Sequence, residues 1–499
     1  MDMGNNAAMN NDTSIIITEM SQLLGSEHVI AADAAEAAPY QEKIGRLRRP
    51  VSYEKEARQI IAIATPGGID DLQRLLKLAK DKAISFWNMP NAGGLGSTPP
   101  PESGDIVMLD LKRMNGILEV NTKAAYALVE PGVTYQQMQE YLQDNDIPFW
   151  VDIDKHGSHS ISDSIGAREF GYTPYGDHLL MQCGMEVMLA NGTVVRTGMG
   201  AMPKSDTWQL FKYGYGPYVD GLFTQSNLGI ITKVGLWLMP APPVYKPFTV
   251  QLNDEASLAA AVDALHSLKV NMLIPNTVVI SHVRHDATLY GDELPDPEAS
   301  DSELAASHNM GVWNVYGAVY GIPDNVAILW GAVGGAMGAI PGAALKVEED
   351  MSDNSLWRNR EQTMRGLSTQ QEGGSIPDHG CFHFTLGAAI EGDDATTLNH
   401  AVQAIAAKHG VSAFVEFALT WRTMMARISL PYPHADAEAL QKSRDCAQAM
   451  LAELAEQGYG ATHADSDILR DATDTFSQGG INILQQRVKD ALDPSSIFG

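Results

Sequence analysis

The stretch from residue 59 to 97 constrains the fold most, because strand, helix, strand and glycine-rich loop follow one another directly. Gln59-Ile60-Ile61-Ala62-Ile63-Ala64-Thr65, closed by Pro66-Gly67-Gly68, has the length and composition of a buried strand. Over residues 70–82, Leu72, Leu75, Leu76, Leu78 and Ala79 recur at helical spacing and define one apolar face. A second strand beginning at Ile84 then runs into Met89-Pro90-Asn91-Ala92-Gly93-Gly94-Leu95-Gly96-Ser97. Closely spaced glycines let backbone N–H groups approach a diphosphate without interference from Cβ. The loop has neither Gly-Lys-Ser/Thr nor GxGxxG, so on these residues alone a structural turn and a nucleotide cradle stand level. A βαβ opening of this kind suits parallel and mixed sheets alike.

From 106 to 238 short strands alternate with turns. Residues 185–190 and 193–196 flank Asn191-Gly192, a pair that takes the positive φ of a tight hairpin turn. Pro240-Ala241-Pro242-Pro243 breaks the pattern and marks a domain boundary. Beyond it helices and strands alternate, including a helix over 255–268, and the final forty residues return to short helices. A length of 499 residues implies two domains with good-sized cores: 1–241, with 460–499 returning to it, and 242–459.

Sixty-one acidic residues against thirty-four basic give a formal charge of -27, which repels phosphate backbones and anionic lipid. Nucleic acid and membrane surfaces are therefore not expected as partners. No run of eighteen uncharged apolar residues predicts a transmembrane helix. The opening MDMGNNAAMNNDTS lacks a basic region and an apolar core. The cytoplasm is thus the expected compartment, with the periplasm the alternative for a chain from which a signal has been removed. Cys183, Cys381 and Cys446 show no CxxC spacing, hence no metal site or disulfide framework is expected.

Gly171-Tyr172-Thr173-Pro174-Tyr175-Gly176-Asp177-His178 matches a GYTPYGDH signature. It is accompanied, in order, by residues 129–135 (VEPGVTY), 183–187 (CGMEV), 196–201 (RTGMGA), 213–223 (YGYGPYVDGLF), 225–233 (QSNLGIITK) and 313–318 (WNVYGA). On these motifs the chain resembles the vanillyl-alcohol oxidase / para-cresol methylhydroxylase family, nearly end to end. The resemblance implies an α+β fold: a two-lobed FAD-binding domain of the PCMH type, plus an α+β cap with an antiparallel sheet. It further implies FAD, with the diphosphate on Pro90, Asn91, Ala92, Gly93, Gly94, Leu95 and Gly96, and further contacts from Tyr172, Tyr175, Gly176, Gly229, Ile230 and Thr232. The implied chemistry removes hydride from the benzylic carbon of a para-substituted phenol or a related alcohol. Dioxygen or a c-type cytochrome would take the electrons, and a homodimer is implied.

Carried over position by position, several family residues are replaced. Leu95 stands where the family has a phenol-binding tyrosine. The family's Tyr-Arg pair falls in Gly460-Ala461-Thr462-His463, and the aspartate near the flavin falls on Lys155. Glu416 aligns with a glutamate of para-cresol methylhydroxylase, and its neighbours Phe414, Val415 and Phe417 predict a raised carboxyl pKa suited to proton transfer. Arg422 and Arg427 are candidates for the missing cation, as is Arg168. The family's covalent flavin link falls on Phe382, which cannot bond, so dissociable FAD is expected; a one-residue shift would place His383 or Cys381 there. The losses leave two further readings open: oxidation of a non-phenolic alcohol or hydroxy acid, and flavin binding without turnover.

Overall fold

The computed structural model describes residues 3–40, 58–89, 101, 104–153, 157–290, 295–296, 298–367, 379–465 and 468–499. The loop at 90–97 and Lys155 lie outside the described residues. A helix, Met3–Leu24, leads into a four-stranded sheet of β1 (Val29–Ala31), β2 (Arg58–Ala64), β3 (Ser85–Met89) and β4 (Gly104–Asp110). Their order is β1-β2-β4-β3, with β2 and β3 parallel to β4 and β1 antiparallel. The helix that makes the crossover, Ile69–Lys82, buries Leu72, Leu75, Leu76, Leu78 and Ala79, the face its spacing predicts. Each such leucine contributes about 1.5–3 kcal/mol by leaving water.

Next come β5 (Ile117–Asn121), β6 (Tyr126–Val129), β7 (Phe149–Trp150), β8 (Gln182–Met188), β9 (Val194–Arg196), β10 (Ile230–Trp237) and β11 (Met239–Pro240). All but β7 and β11, which pair with each other, form an antiparallel sheet in the order β5-β6-β10-β8-β9. The β8–β9 connection is the expected hairpin: Gly192 sits at φ 80°, and Asn191 Oδ1 accepts from the Thr193 N–H at 2.9 Å.

The remaining strands are β12 (Val244–Leu252), β13 (Val278–His282), β14 (Trp313–Gly321), β15 (Ala344–Val347), β16 (His379–Ala388), β17 (Phe414–Leu419), β18 (Met424–Pro433) and β19 (Gly460–Ala464). They form one antiparallel sheet in the order β15-β12-β14-β13-β17-β18-β16-β19. Helices Glu255–Val270, Pro323–Gly338, Gly392–His409 and Ala437–Glu456 pack on one face through the largest apolar cluster. Strand side chains alternate between faces. Phe382, Phe384, Val415, Phe417, Ala426 and Ile428 therefore enter that core, while His383, Glu416 and Arg427 point the other way. Residues 460–464, part of the segment expected to return to the first domain, form the edge strand β19 of this sheet. At the other end of that segment, Ile497 and Phe498 enter the core behind the first sheet, and the Phe86 N–H donates to Ile497 O at 2.6 Å. No helix among the described residues is long and apolar enough to cross a membrane.

Candidate active site at the seam between the lobes

The GYTPYGDH segment is a closed loop. The Gly171 N–H donates to Gly176 O at 2.8 Å, Gly176 N–H to Thr173 O at 2.9 Å, and Tyr175 N–H to Thr173 Oγ1 at 3.1 Å. Asp177 then caps the short helix His178–Met181 by accepting from the Leu180 N–H at 2.9 Å. Asp152 ties the loop down, with one carboxylate oxygen accepting from the Thr173 N–H at 2.7 Å and the other 2.8 Å from His178 Nε2. The far side of that imidazole meets Ser164 Oγ at 2.7 Å and Tyr135 OH at 3.1 Å. Gly171 is required by space, because a Cβ there would lie 1.4 Å from Asp152 Oδ1. Gly171→Ala is accordingly expected to cost at least about 1–3 kcal/mol, the usual penalty of overpacking. Equilibrium urea unfolding checks this, and an unchanged midpoint would refute it.

The loop delivers Tyr172 and the Phe170 carbonyl to the polar face of the cap sheet. Four charged groups meet there: Glu416 on β17, Arg427 opposite it on β18, Asp286 on helix Val283–Tyr290 and Arg360 on helix Ser355–Met364. Arg360, 1% exposed, donates to Asp286 Oδ1 at 2.6 Å, to Glu416 Oε2, and to Tyr172 OH at 3.1 Å. Arg427 donates to Glu416 Oε1 at 3.1 Å and to Phe170 O at 3.2 Å. Tyr316 OH donates to Asp286 Oδ2 at 2.6 Å, and His285 Nδ1 lies 3.7 Å from Glu416 Oε2. The first lobe thus meets a buried ion network of the cap through one hydroxyl and one carbonyl.

Burial alone would raise the Glu416 pKa, but the charges of Arg360, His285 and Arg427 outweigh it and hold the carboxyl well below the usual range. The expected raised pKa is therefore corrected. The flanking Val415 and Phe417 point to the opposite face, and the groups that decide the ionisation come from across the sheet and from a helix. Burial likewise opposes ionisation of Asp286, and Arg360, His285 and Tyr316 reverse it. The surrounding cations thus favour the ionised form of Glu416. His285, Asp286 and Glu416 are close enough to share a metal ion, but the Arg360 guanidinium already bridges both carboxylates.

Other expected site residues are distributed unevenly. Arg422 is exposed on the β17–β18 turn, while the guanidiniums that pair with Glu416 are those of Arg360 and Arg427. Register explains this: Glu416 pairs with Arg427, and the turn carries residues 420–423 away from the seam. Arg168, in the left-handed region at φ 60°, donates to Thr224 Oγ1 at 2.9 Å. Ile230 and Thr232 bury their side chains inside the first lobe, where the Thr232 hydroxyl donates to Glu186. Gly229 faces Val187 at close range, and Tyr175 is half-buried. His383 shares the seam-facing side of β16 with Cys381, its Nδ1 3.0 Å from Ser429 Oγ, whereas Phe382 is inside the core. His463, in the segment onto which the family's Tyr-Arg pair falls, reaches Arg168 O at 3.1 Å. Arg360, Asp286, His285 and Tyr316 were missed by sequence reasoning.

Residues 60–198 match a family model described as an FAD binding domain. Over 498 residues the chain is 33% identical to the 4-cresol dehydrogenase (hydroxylating) flavoprotein subunit of Pseudomonas putida, covering 97% of this chain and 94% of that one. The crystal structure of p-cresol methylhydroxylase with substrate bound superposes with a TM-score of 0.87 at 32% identity, over 98% of this chain and 96% of the other. The 4-ethylphenol oxidase from Gulosibacter chungangensis, in an isoeugenol complex, gives 0.88 at 28% identity with the same coverage. The described residues suit FAD. Within the matched span the Ser162 hydroxyl, just past the Ser160 cap of helix Ile161–Ala167, is buried with no hydrogen-bond partner among them, as a group completed by a ligand would be. This chain is an FAD-dependent oxidoreductase and belongs to the vanillyl-alcohol oxidase / para-cresol methylhydroxylase family.

Proposed function

We propose that the protein oxidises the benzylic carbon of a para-substituted phenol. Bound FAD supplies the hydride acceptor. The 90–96 loop, Ser162 and the seam-facing side of β16 are the residues that would hold it, without a covalent link. The relatives named above support the substrate class, since 4-cresol, p-cresol and 4-ethylphenol are all para-substituted phenols. The observation that carries the reading is the charge-balanced network at the seam. Glu416 is locked as an anion between two guanidiniums, a fixed acceptor that can orient a donor group at the reacting carbon. Each guanidinium already holds a carboxylate, so neither offers an unpaired cation to a substrate carboxylate. This disfavours hydroxy acids, the second reading.

The electron acceptor is part of the proposal. The Pseudomonas relative is named a flavoprotein subunit and the Gulosibacter one an oxidase, which points to a protein partner such as a c-type cytochrome or to dioxygen. Anaerobic mixing of the purified holoprotein with para-alkylphenols, benzylic alcohols and hydroxy acids tests the reading. The flavin absorbance should bleach with the phenols and not with the acids; bleaching by acids alone would overturn it. Reoxidation of the reduced protein by air, compared with a c-type cytochrome, then selects the acceptor.

A further inference from the structure

We propose that Tyr172 determines specificity at the oxidised carbon: its hydroxyl donates to an oxygen borne by that carbon, and Glu416 accepts from the same group. The proposal rests on the phenol-oxidising reading and refines it. Tyr172 leaves the first lobe to enter the cap's smaller apolar cluster beside Tyr316 and Trp357, and is 3% exposed. Its oxygen accepts from Arg360 Nη1 at 3.1 Å. A phenol hydroxyl also has one proton to give, and among the described residues nothing accepts it. The indole Nε1 of Trp357, one turn before Arg360, is a second buried donor without a partner among those residues. Buried unmatched donors are costly, and a ligand oxygen would match them.

Arg360 fixes where that oxygen sits. One η nitrogen holds Tyr172 and the other holds Glu416, so a single planar guanidinium sets a hydrogen-bond donor and an anionic acceptor side by side. Glu416 takes one bond from each arginine, and a carboxylate has further lone pairs to offer. A hydroxyl is the group that accepts and donates through one atom; a methyl does neither. The pair therefore selects a side chain already oxygenated at the benzylic carbon over a bare alkyl group. Arg360 acts here as a positioning residue.

Wild-type holoenzyme and Tyr172→Phe are mixed anaerobically with 4-hydroxybenzyl alcohol and with 4-methylphenol, and flavin reduction is followed against concentration. The variant should lose about ten- to a hundredfold in efficiency with the alcohol, the range of a hydrogen bond to a charged or polarised partner. With 4-methylphenol the change should stay within about threefold, well below the effect of one such bond. Binding of 4-hydroxybenzaldehyde, titrated by perturbation of the flavin spectrum, should weaken in parallel with the alcohol. Equal losses for both substrates would make Tyr172 a strut between lobes and overturn the proposal, as would no loss with either. If Tyr172→Phe does not retain flavin, wild-type binding of 4-hydroxybenzaldehyde and of 4-methylphenol is compared by the same flavin titration, and an aldehyde that binds no tighter than the alkylphenol overturns the idea. Wild-type protein bleached by neither phenol would instead refute the phenol reading itself.

Discussion

Glu416→Gln should slow flavin reduction by a para-substituted phenol that carries a hydroxyl on its benzylic carbon about ten- to a hundredfold, while the resting flavin spectrum stays unchanged. Glutamine keeps the shape and one acceptor oxygen but removes the charge that Arg360 and Arg427 compensate. The seam then carries a net positive charge, and the amide presents N–H groups toward at least one guanidinium that can only donate. A donor group on the substrate loses its anionic acceptor at the carbon that reacts, and small misplacement there has a large effect on rate. Stopped-flow absorbance under anaerobic conditions measures it. A change of less than about threefold, smaller than one charge-assisted hydrogen bond, would reduce Glu416 to a structural ion-pair member.

Arg360→Met should destabilise the protein by about 3–5 kcal/mol at neutral pH, because it strands two buried carboxylates without their shared cation. The pH dependence follows from the direction of the shifts. In the wild type Glu416 and Asp286 are held below the ordinary carboxylate range. They contribute stability above their unfolded pKa values, and it is lost as pH falls through the folded ones. In the variant burial is no longer opposed by Arg360, so both carboxyls move upward and protonation relieves the unpaired charge. The deficit should therefore shrink as pH is lowered from neutrality toward the carboxylate range. Urea midpoints followed by tryptophan fluorescence at both ends of that span would show it. A deficit that does not change with pH would mean that lost packing, not charge, is responsible.

Much of this architecture is legible in the sequence. The crossover helix, the Asn191-Gly192 hairpin and the signature loop depend on local spacing, turn chemistry and close backbone approach, which residue order records directly. Glu416 is legible as well, but its surroundings are not. Adjacent residues on a strand point away from one another, so Val415 and Phe417 say nothing about the carboxylate between them. The informative neighbour was Arg427, and a hairpin turning at 420–423 sets the register that pairs it with Glu416. Arg360 and Asp286 carry no such signal. Each is a charged residue on a short helix, a pattern normally read as a solvated surface, and only the packing of those helices under the sheet brings them to the seam.

The two-sided character of β16 gives the family's attachment strand a simple mutational grammar. Because Phe382, Phe384 and Leu386 are locked into the interior and Cys381, His383 and Thr385 look outward, substitutions along it should sort by parity. Even-numbered changes would show in yield and melting, odd-numbered ones in the colour of the bound cofactor. A tyrosine engineered to bond the isoalloxazine would belong at 381 or 383, and at 382 it would only wedge the core apart.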